Sequence, residues 1–281
     1  YKWDAGEALQ LIERERISAV SGVPVMAREI ISHPDFAKTD TSSLMTLGGG
    51  GAQLQPDLVG KIDQQVATAR PNTGYGMTET CGIITSISGD HFVDKPASCG
   101  PAMPAYESKI VNPDTGEEMP EGQPGELWVR GAHVIRGYLN REEATAESIV
   151  DGWLRTGDVA IMDAEGFVTI QDRIKDMIIS GGENVYPAEI ENLLIGHPAI
   201  REAAVIGQAS ERWGESPLAI VVASDPKLTP AEVLDYCQGK LARFKQPKAV
   251  FNLSELPRNA MGKVQKNLLR DAYANTFSDD A

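Results

Sequence analysis

The sequence predicts an α/β layer, then a β-rich subdomain, then a small α+β C-terminal domain. Three observations predict it. Helical and strand patterns alternate up to about residue 95. From Pro96 the strand-like runs shorten and are parted by Gly- and Pro-containing turns. Beyond residue 171 short strands and amphipathic helices alternate again behind a charged junction. The expected boundaries are therefore 1–171 for a large domain (α/β layer about 1–95, β-rich subdomain about 96–171) and 172–281 for a small, mobile one.

In chain order, Asp4 with Glu7 resembles a capping box opening a helix through Arg16. Ile17–Val20 is a short apolar strand, and Pro24 suits the first turn of a helix to Ser32. Ser43–Leu47 reads as a buried strand running into Gly48-Gly49-Gly50-Gly51, and Pro56 starts a helix to Ala69. This alternation implies some parallel sheet. Strands follow at Ser108–Asn112, Glu126–Arg130, Asp158–Asp163 and Phe167–Gln171, with hairpin turns at Asp114–Gly116 and Ala164–Gly166 and a helix over Glu142–Val150. In the last domain strands are expected at Met177–Ile179, Ala203–Gly207, Leu218–Ala223 and Ala249–Leu253. Helices are expected at Pro187–Ile195, Pro230–Leu241 and Val264–Tyr273, with a frayed Ser278–Ala281.

Composition narrows the function classes. The 281 residues are 42% hydrophobic and 23% charged, the balance of a soluble globular protein. No apolar run approaches the ~20 residues of a membrane span, and nothing resembles a signal peptide. The chain opens at Tyr1 without methionine, as an excised or N-terminally incomplete chain does. A formal net charge of −14 argues against a broad nucleic-acid surface, although a nucleotide site needs only a few placed cations. Cys81, Cys99 and Cys237 are scattered, which suits free thiols in a reducing cytoplasm, and a cytoplasmic location is expected. His33, His91, His133 and His197 are equally dispersed, so a zinc site is not expected.

Five stretches carry candidate chemistry. Thr73-Gly74-Tyr75-Gly76-Met77-Thr78-Glu79-Thr80 lets backbone bend and approach a ligand, with a flat ring at Tyr75. Thr78 offers a hydroxyl for a phosphate oxygen and Glu79 a hard oxygen ligand for Mg²⁺. The plainer reading is a Gly-rich turn around a packed tyrosine. Gly48–Ala52 could admit a planar group against bare backbone, or be a flexible strand-to-loop junction. Trp153–Asp158 puts a carboxylate at a strand start, where Asp158 could accept from ribose hydroxyls or merely form a turn. Asp172-Arg173-Ile174-Lys175-Asp176 and the following Ser180–Pro187 combine charge and glycine at a domain junction, which fits either a hinge or a solvated linker. Lys263, within Pro257–Val264, could stabilise charge developing on a phosphate, or be an ordinary helix-start lysine. The chain has no G-x-S-x-G, Walker A, H-E-x-x-H or C-x-x-C motif.

In combination and order these stretches, together with Gly125–Gly131, resemble the adenylate-forming superfamily of acyl-CoA synthetases, firefly luciferases and peptide synthetase adenylation domains. The likeness covers essentially the whole chain and identifies it with the C-terminal part of an AMP-forming acid–CoA ligase. The resemblance implies that Gly48, Gly49, Gly50 and Tyr75 enclose the adenine, with Thr73, Gly74, Gly76 and Met77 completing the nucleotide strip. It implies Thr78 on the α-phosphate, Glu79 on Mg²⁺, and Asp158 on the ribose with Arg173 nearby. Lys175 falls at the family hinge, Lys263 at the adenylation lysine, and Gly181 and Gly182 where the thiol arm of coenzyme A passes. The implied substrates are a carboxylic acid, ATP and coenzyme A, through an acyl-adenylate with release of pyrophosphate and then AMP. A homo-oligomer is left open.

The family's phosphate loop ending in Pro-Lys-Gly is absent from these 281 residues, so little adenylation by them alone is expected. Thr80–Ile84 is small and apolar, suiting a fatty or other apolar acid. Leu256–Lys266 resembles the malonate-activating branch, yet Ser88–Lys95 holds no arginine for a second carboxylate, only His91 and Lys95. A malonate-type ligase and a catalytically incompetent nucleotide- or CoA-binding fragment are the alternatives.

Overall fold

The computed structural model describes residues 3–66, 68–259, 262–274 and 276–277. The chain divides into two compact units, Tyr1–Ile170 and Gln171–Ala281.

The first unit opens with α1 (Ala5–Glu15), whose N-terminus is capped where Asp4 Oδ1 accepts from the Glu7 N–H at 2.8 Å. β1 (Ala19–Gly22), α2 (Pro24–Ser32), β2 (Thr46–Gly49), α3 (Pro56–Gln65), β3 (Arg70–Met77), β4 (Gly82–Ser88) and α4 (Gly89–Asp94) follow. The sheet order is β1-β2-β3-β4; the first three strands are parallel and β4 returns antiparallel. Pro24 and Pro56 each lie in the first helical turn, where a missing N–H costs nothing. Leu9, Ile30, Leu47, Leu58, Ile62 and Phe92 form the core between these helices and the sheet.

A second sheet in this unit comprises β5 (Tyr106–Val111), β6 (Gly125–Gly131), β7 (Ile149–Val150), β8 (Trp153–Met162) and β9 (Val168–Arg173), with α5 (Glu142–Ser148) leading into β7. Its path is β5-β6-β8-β7, and β9 pairs with β8. Leu127, Val129, Leu154 and Val168 fill its core, with Ile84 of β4 and the half-buried Tyr75 and Met77 of β3 packed into it.

The second unit is built from β10 (Ile178–Ser180), β11 (Glu183–Val185), α6 (Pro187–Ile195), β12 (Ile200–Ser210), β13 (Gly214–Ala223), α7 (Pro230–Cys237), β14 (Ala249–Asn252) and α8 (Lys266–Ala272). The order is β11-β10-β13-β12, with β14 parallel to β13. β12 and β13 are covered on both faces. Val205, Ala219 and Val221 face one core, while Ile206, Leu218 and Ile220 face another with Leu256 and Leu269. This is why Leu218–Val222 reads as a continuous apolar run rather than an alternation.

Several expected elements shift. The strand expected at Ile17–Val20 is Ala19–Gly22, and the one expected to end at Leu47 continues through the glycines to Gly49. The Pro56 helix stops at Gln65, because Val66 turns extended and buries its side chain. The Pro230 helix stops at Cys237, and the last helix is Lys266–Ala272. Ile149–Val150 leave the helix to pair with β8. β4, α4 and β11 were not anticipated: α4 and β11 are short, and Gly82–Ser88 of β4 shows no clear alternation. Ser278–Ala281, expected to fray, lies outside the described residues. Among the described residues no helix is long and apolar enough to cross a membrane.

Candidate active site

The glycine strip straddles the end of β2: Gly48 and Gly49 belong to the strand, and Gly50 to Ala52 lie beyond it. Gly48 and Gly49 pair in parallel with Asn72 and Thr73. Gly49 has φ 140°, and a Cβ there would sit 1.9 Å from the Gly22 carbonyl oxygen of β1. Close strand packing therefore requires glycine at this point, whatever lies above it. Thr73 Oγ1 donates to the Gly49 carbonyl at 2.8 Å, and the Gly50 N–H donates to the Gly22 carbonyl at 3.1 Å.

The stretch Thr73-Gly74-Tyr75-Gly76-Met77, expected to bend tightly, is extended strand, with a register shift between Tyr75 and Gly76 against β4. The bend comes one residue later, in a 3₁₀ turn over Thr78–Thr80. Thr80 is fully buried and staples that turn: its Oγ1 accepts from the Met77 N–H at 3.2 Å and lies 2.8 Å from the Gly82 carbonyl. Tyr106 Oη donates to the Thr80 carbonyl at 2.6 Å. Thr78 is thereby left exposed and Glu79 half-buried at the end of β3.

Asp158 was expected at the start of a strand. It lies instead in the middle of β8, 7% exposed. Tyr75 Oη donates to Asp158 Oδ2 at 2.5 Å, joining residues of two sheets. Burial first, and the Asp158 carboxylate second, push the Tyr75 phenol far above its usual range, so it remains a donor. Burial likewise lifts the neighbouring Cys99 thiol to about 11.

Glu79 is held on two sides by one loop. Tyr138 Oη donates to Glu79 Oε1 at 2.9 Å, and the Ile135 N–H donates to the Glu79 carbonyl at 2.8 Å. Burial, then the Glu79 contact, raises the Tyr138 phenol pKa. Lys95 is drawn elsewhere: its ammonium sits 2.6 Å from Asp163 Oδ2, contacts Glu165, and lies 4.0 Å over the Phe167 ring.

The remaining predicted residues belong to the second unit. Arg173 and Lys175 are exposed between two anchored aspartates. Asp172 Oδ2 accepts from the Ala188 N–H in the first turn of α6 at 2.7 Å, and Asp176 Oδ1 accepts from Arg270 at 2.5 Å. The stretch Ser180–Pro187 leads into α6 at Pro187, and Gly181 and Gly182 turn a hairpin on the way. Ser180 pairs with Glu183, so the two glycines are the two-residue turn of the β10–β11 hairpin, with φ of 63° and 86°. That is the φ-positive turn whose twist matches such hairpins. Lys263 precedes α8 rather than starting it. Asn259 accepts from the Lys263 N–H at 3.0 Å, Arg258 donates to the Gly262 carbonyl at 2.6 Å, and the exposed Lys263 ammonium has no ion pair among the described residues. Ala260 and Met261 lie outside the described residues.

Two site residues were missed from sequence. Tyr138 sits in Arg136-Gly137-Tyr138-Leu139, whose only signal is a glycine–aromatic pair in a polar loop. Glu126 was read as an ordinary strand residue, yet it is 2% exposed on β6, paired beside the Asp158 strand.

The AMP-binding enzyme family matches residues 2–139, and the AMP-binding enzyme C-terminal domain matches residues 189–263. The chain belongs to this adenylate-forming family. It is 41% identical over 273 residues to a feruloyl-CoA synthase from Amycolatopsis sp, covering 96% of this chain and 55% of that protein. It is 38% identical over 275 residues to a long-chain-fatty-acid–CoA ligase from Mycobacterium tuberculosis, covering 98% and 54%. The fold superposes on o-succinylbenzoate CoA synthetase from Bacillus subtilis, solved with its acyl-adenylate intermediate, with a TM-score of 0.88 at 35% identity, covering 96% of this chain and 54% of that one. The same synthetase has been solved with ATP and magnesium ion. The chain spans about half the length of the curated relatives it matches.

Proposed function

We propose that this chain serves an ATP-dependent acid–CoA ligase that forms acyl-CoA through an acyl-adenylate, acting on a fatty or other apolar monocarboxylic acid in the cytoplasm. The observation that carries the reading is the Tyr75–Asp158 hydrogen bond, with Thr73 tied to Gly49 on one side and Glu79 held at the far end of the same strand. A nucleotide laid along β3 would meet the glycine strip and Tyr75 at its base, Asp158 at its ribose and Thr78 at its α-phosphate.

Glu79 fits Mg²⁺. It presents one carboxylate braced by Tyr138, and among the described residues no group of three or more His, Cys, Asp or Glu gathers to form an all-protein cage. Mg²⁺ is ordinarily held by one or two carboxylates plus substrate phosphates, where it neutralises phosphate charge. In the first step a carboxylate oxygen bonds to the α-phosphorus as the bond to pyrophosphate breaks. Lys263 would stabilise charge on the phosphate there. In the second, the coenzyme A sulfur bonds to the acyl carbon and loses its proton as AMP leaves, the thiol arm passing Gly181 and Gly182. Arg173 would lie near the ribose and Lys175 would act as the hinge of a mobile domain formed by the second unit.

The preference for an apolar acid draws support from Lys95. With Asp163 and Glu165 upon it, that ammonium is already neutralised and is a poor partner for a second substrate carboxylate. The test incubates the enzyme with ATP, Mg²⁺, coenzyme A and either octanoate or malonate, and reads acyl-CoA and nucleotide products by mass spectrometry. Octanoyl-CoA with AMP is expected, unchanged in Lys95→Met. ADP as product would reject the adenylate route, and malonyl-CoA as the main product would reject the apolar acid. The 281 residues alone are expected to bind AMP but to support little ATP–pyrophosphate exchange.

A further inference from the structure

We infer that Glu126 is a positioning residue for the nucleotide site, setting the aim of the Asp158 carboxylate through a β-bulge in β8. The inference rests on the reading of Asp158 as the ribose ligand.

The register between β6 and β8 breaks at one place. Glu126 pairs with Val159 and Trp128 pairs with Arg155, so Leu127 alone faces Thr156, Gly157 and Asp158. Regular pairing would bond these three residues to β6 in ladder fashion and fix their side chains by simple alternation. The bulge removes the ladder partners, and side chains replace them. Glu126 Oε1 accepts from the Gly157 N–H at 3.1 Å. Thr156 Oγ1 donates to the Leu127 carbonyl at 2.7 Å and accepts from the Asp158 N–H at 3.1 Å. Gly157 takes φ 72°, and the strand re-emerges with Asp158 buried and Oδ2 on Tyr75 Oη. Bulges re-aim side chains in this manner.

Glu126 is itself immobilised. Its Oε2 accepts from Trp128 Nε1 at 2.8 Å and from Arg155 Nε at 3.1 Å. A carboxylate 2% exposed is costly to bury, and this one is satisfied by three donors, one of them the bulge backbone. Nothing about the packing of Leu127 or Trp128 calls for a buried charge beside them. A hydrogen-bond acceptor at the bulge does. The Gly157 N–H belongs to the Thr156–Gly157 peptide, one before the peptide that carries the Asp158 N–H, so losing its anchor loosens the turn from which Asp158 emerges.

The test measures binding of AMP and of 2′,3′-dideoxy-AMP to the purified protein by calorimetry. If Asp158 accepts from the ribose hydroxyls, the wild type favours AMP by roughly ten-fold or more. Asp158→Ala is expected to abolish that preference. Glu126→Ala and Glu126→Gln are expected to erode it several-fold while leaving affinity for the dideoxy nucleotide nearly unchanged, a selective loss that general destabilisation would not produce. Gly157→Ala disturbs the same bulge without touching Glu126, since no atom lies within 4 Å of the added Cβ, and is expected to erode the preference likewise should the Glu126 variants fail to fold. If the Glu126 and Gly157 variants keep the full preference while Asp158→Ala loses it, the inference is overturned and the ribose reading stands. If Asp158→Ala also keeps it, or the wild type shows none, the ribose reading fails and the inference falls with it.

Discussion

Tyr138 and Glu79 lie 59 residues apart in sequence and meet through one hydrogen bond, Tyr138 Oη to Glu79 Oε1 at 2.9 Å. Because Ile135 of the same loop also binds the Glu79 carbonyl, the loop fixes both the backbone and the carboxylate of the proposed Mg²⁺ ligand. Partners of this kind orient metal-binding carboxylates and influence affinity as well as rate.

Tyr138→Phe is accordingly expected to raise the Mg²⁺ concentration giving half-maximal acyl-CoA formation by roughly ten-fold, with little loss of thermal stability. A lowered rate with unchanged Mg²⁺ dependence would remove Tyr138 from this role.

Alkaline pH is expected to destabilise the first unit. The Cys99 thiol is raised by burial from an ordinary 9.0 to about 11 in the folded protein. Below pH 9 the thiol is protonated in both states and its contribution is complete. Above it the unfolded chain loses the proton first and binds fewer protons than the native one, so stability falls as pH rises toward 11. Tyr75, raised in the same direction from 10.0, extends the loss to higher pH. Urea midpoints measured at pH 8, 9, 10 and 11, with Cys99→Ala flattening the first part of the fall, check the sign. Tyr75→Phe at pH 7 should cost about 1–3 kcal/mol by depriving the buried Asp158 of a donor.

Glycines in the first unit should separate by backbone geometry. Gly49→Ala places a Cβ 1.9 Å from a β1 carbonyl at positive φ and should unfold or severely weaken the α/β layer. Gly60 sits inside α3 with nothing within 4 Å of a new Cβ, and Gly60→Ala should stabilise by about 0.5–1 kcal/mol. Thermal denaturation of the two variants is the measurement.

In the second unit, Lys266 Nζ lies 2.7 Å from Glu191 Oε1, which also accepts from the Val205 N–H at 2.7 Å. Burial pushes the Glu191 carboxyl pKa up, and the Lys266 ammonium opposes that shift. Lys266→Met should cost about 3 kcal/mol at pH 7 by leaving that carboxylate buried without its cation. The loss should shrink as pH falls and Glu191 takes up a proton. Hydrogen exchange of β12 and β13 amides would register it.

The sequence by itself determined where the α2 and α6 helices begin, because Pro24 and Pro187 fix a first turn by local geometry alone. It also determined the family, because Thr73–Thr80, Trp153–Asp158 and Lys263 keep their order along the chain. Only the tertiary structure decided that Thr73–Met77 is strand, that Gly181-Gly182 turn a hairpin, and that Asp158 sits on a bulge in mid-strand. Each of these depends on which strand lies alongside, and strand pairing joins residues distant in sequence whose partners no local pattern names. The same reason hid Tyr138 and Glu126. A tyrosine in a polar loop and a glutamate in an apolar run acquire a role only when folding brings the Glu79 carboxylate and the Gly157 amide within reach.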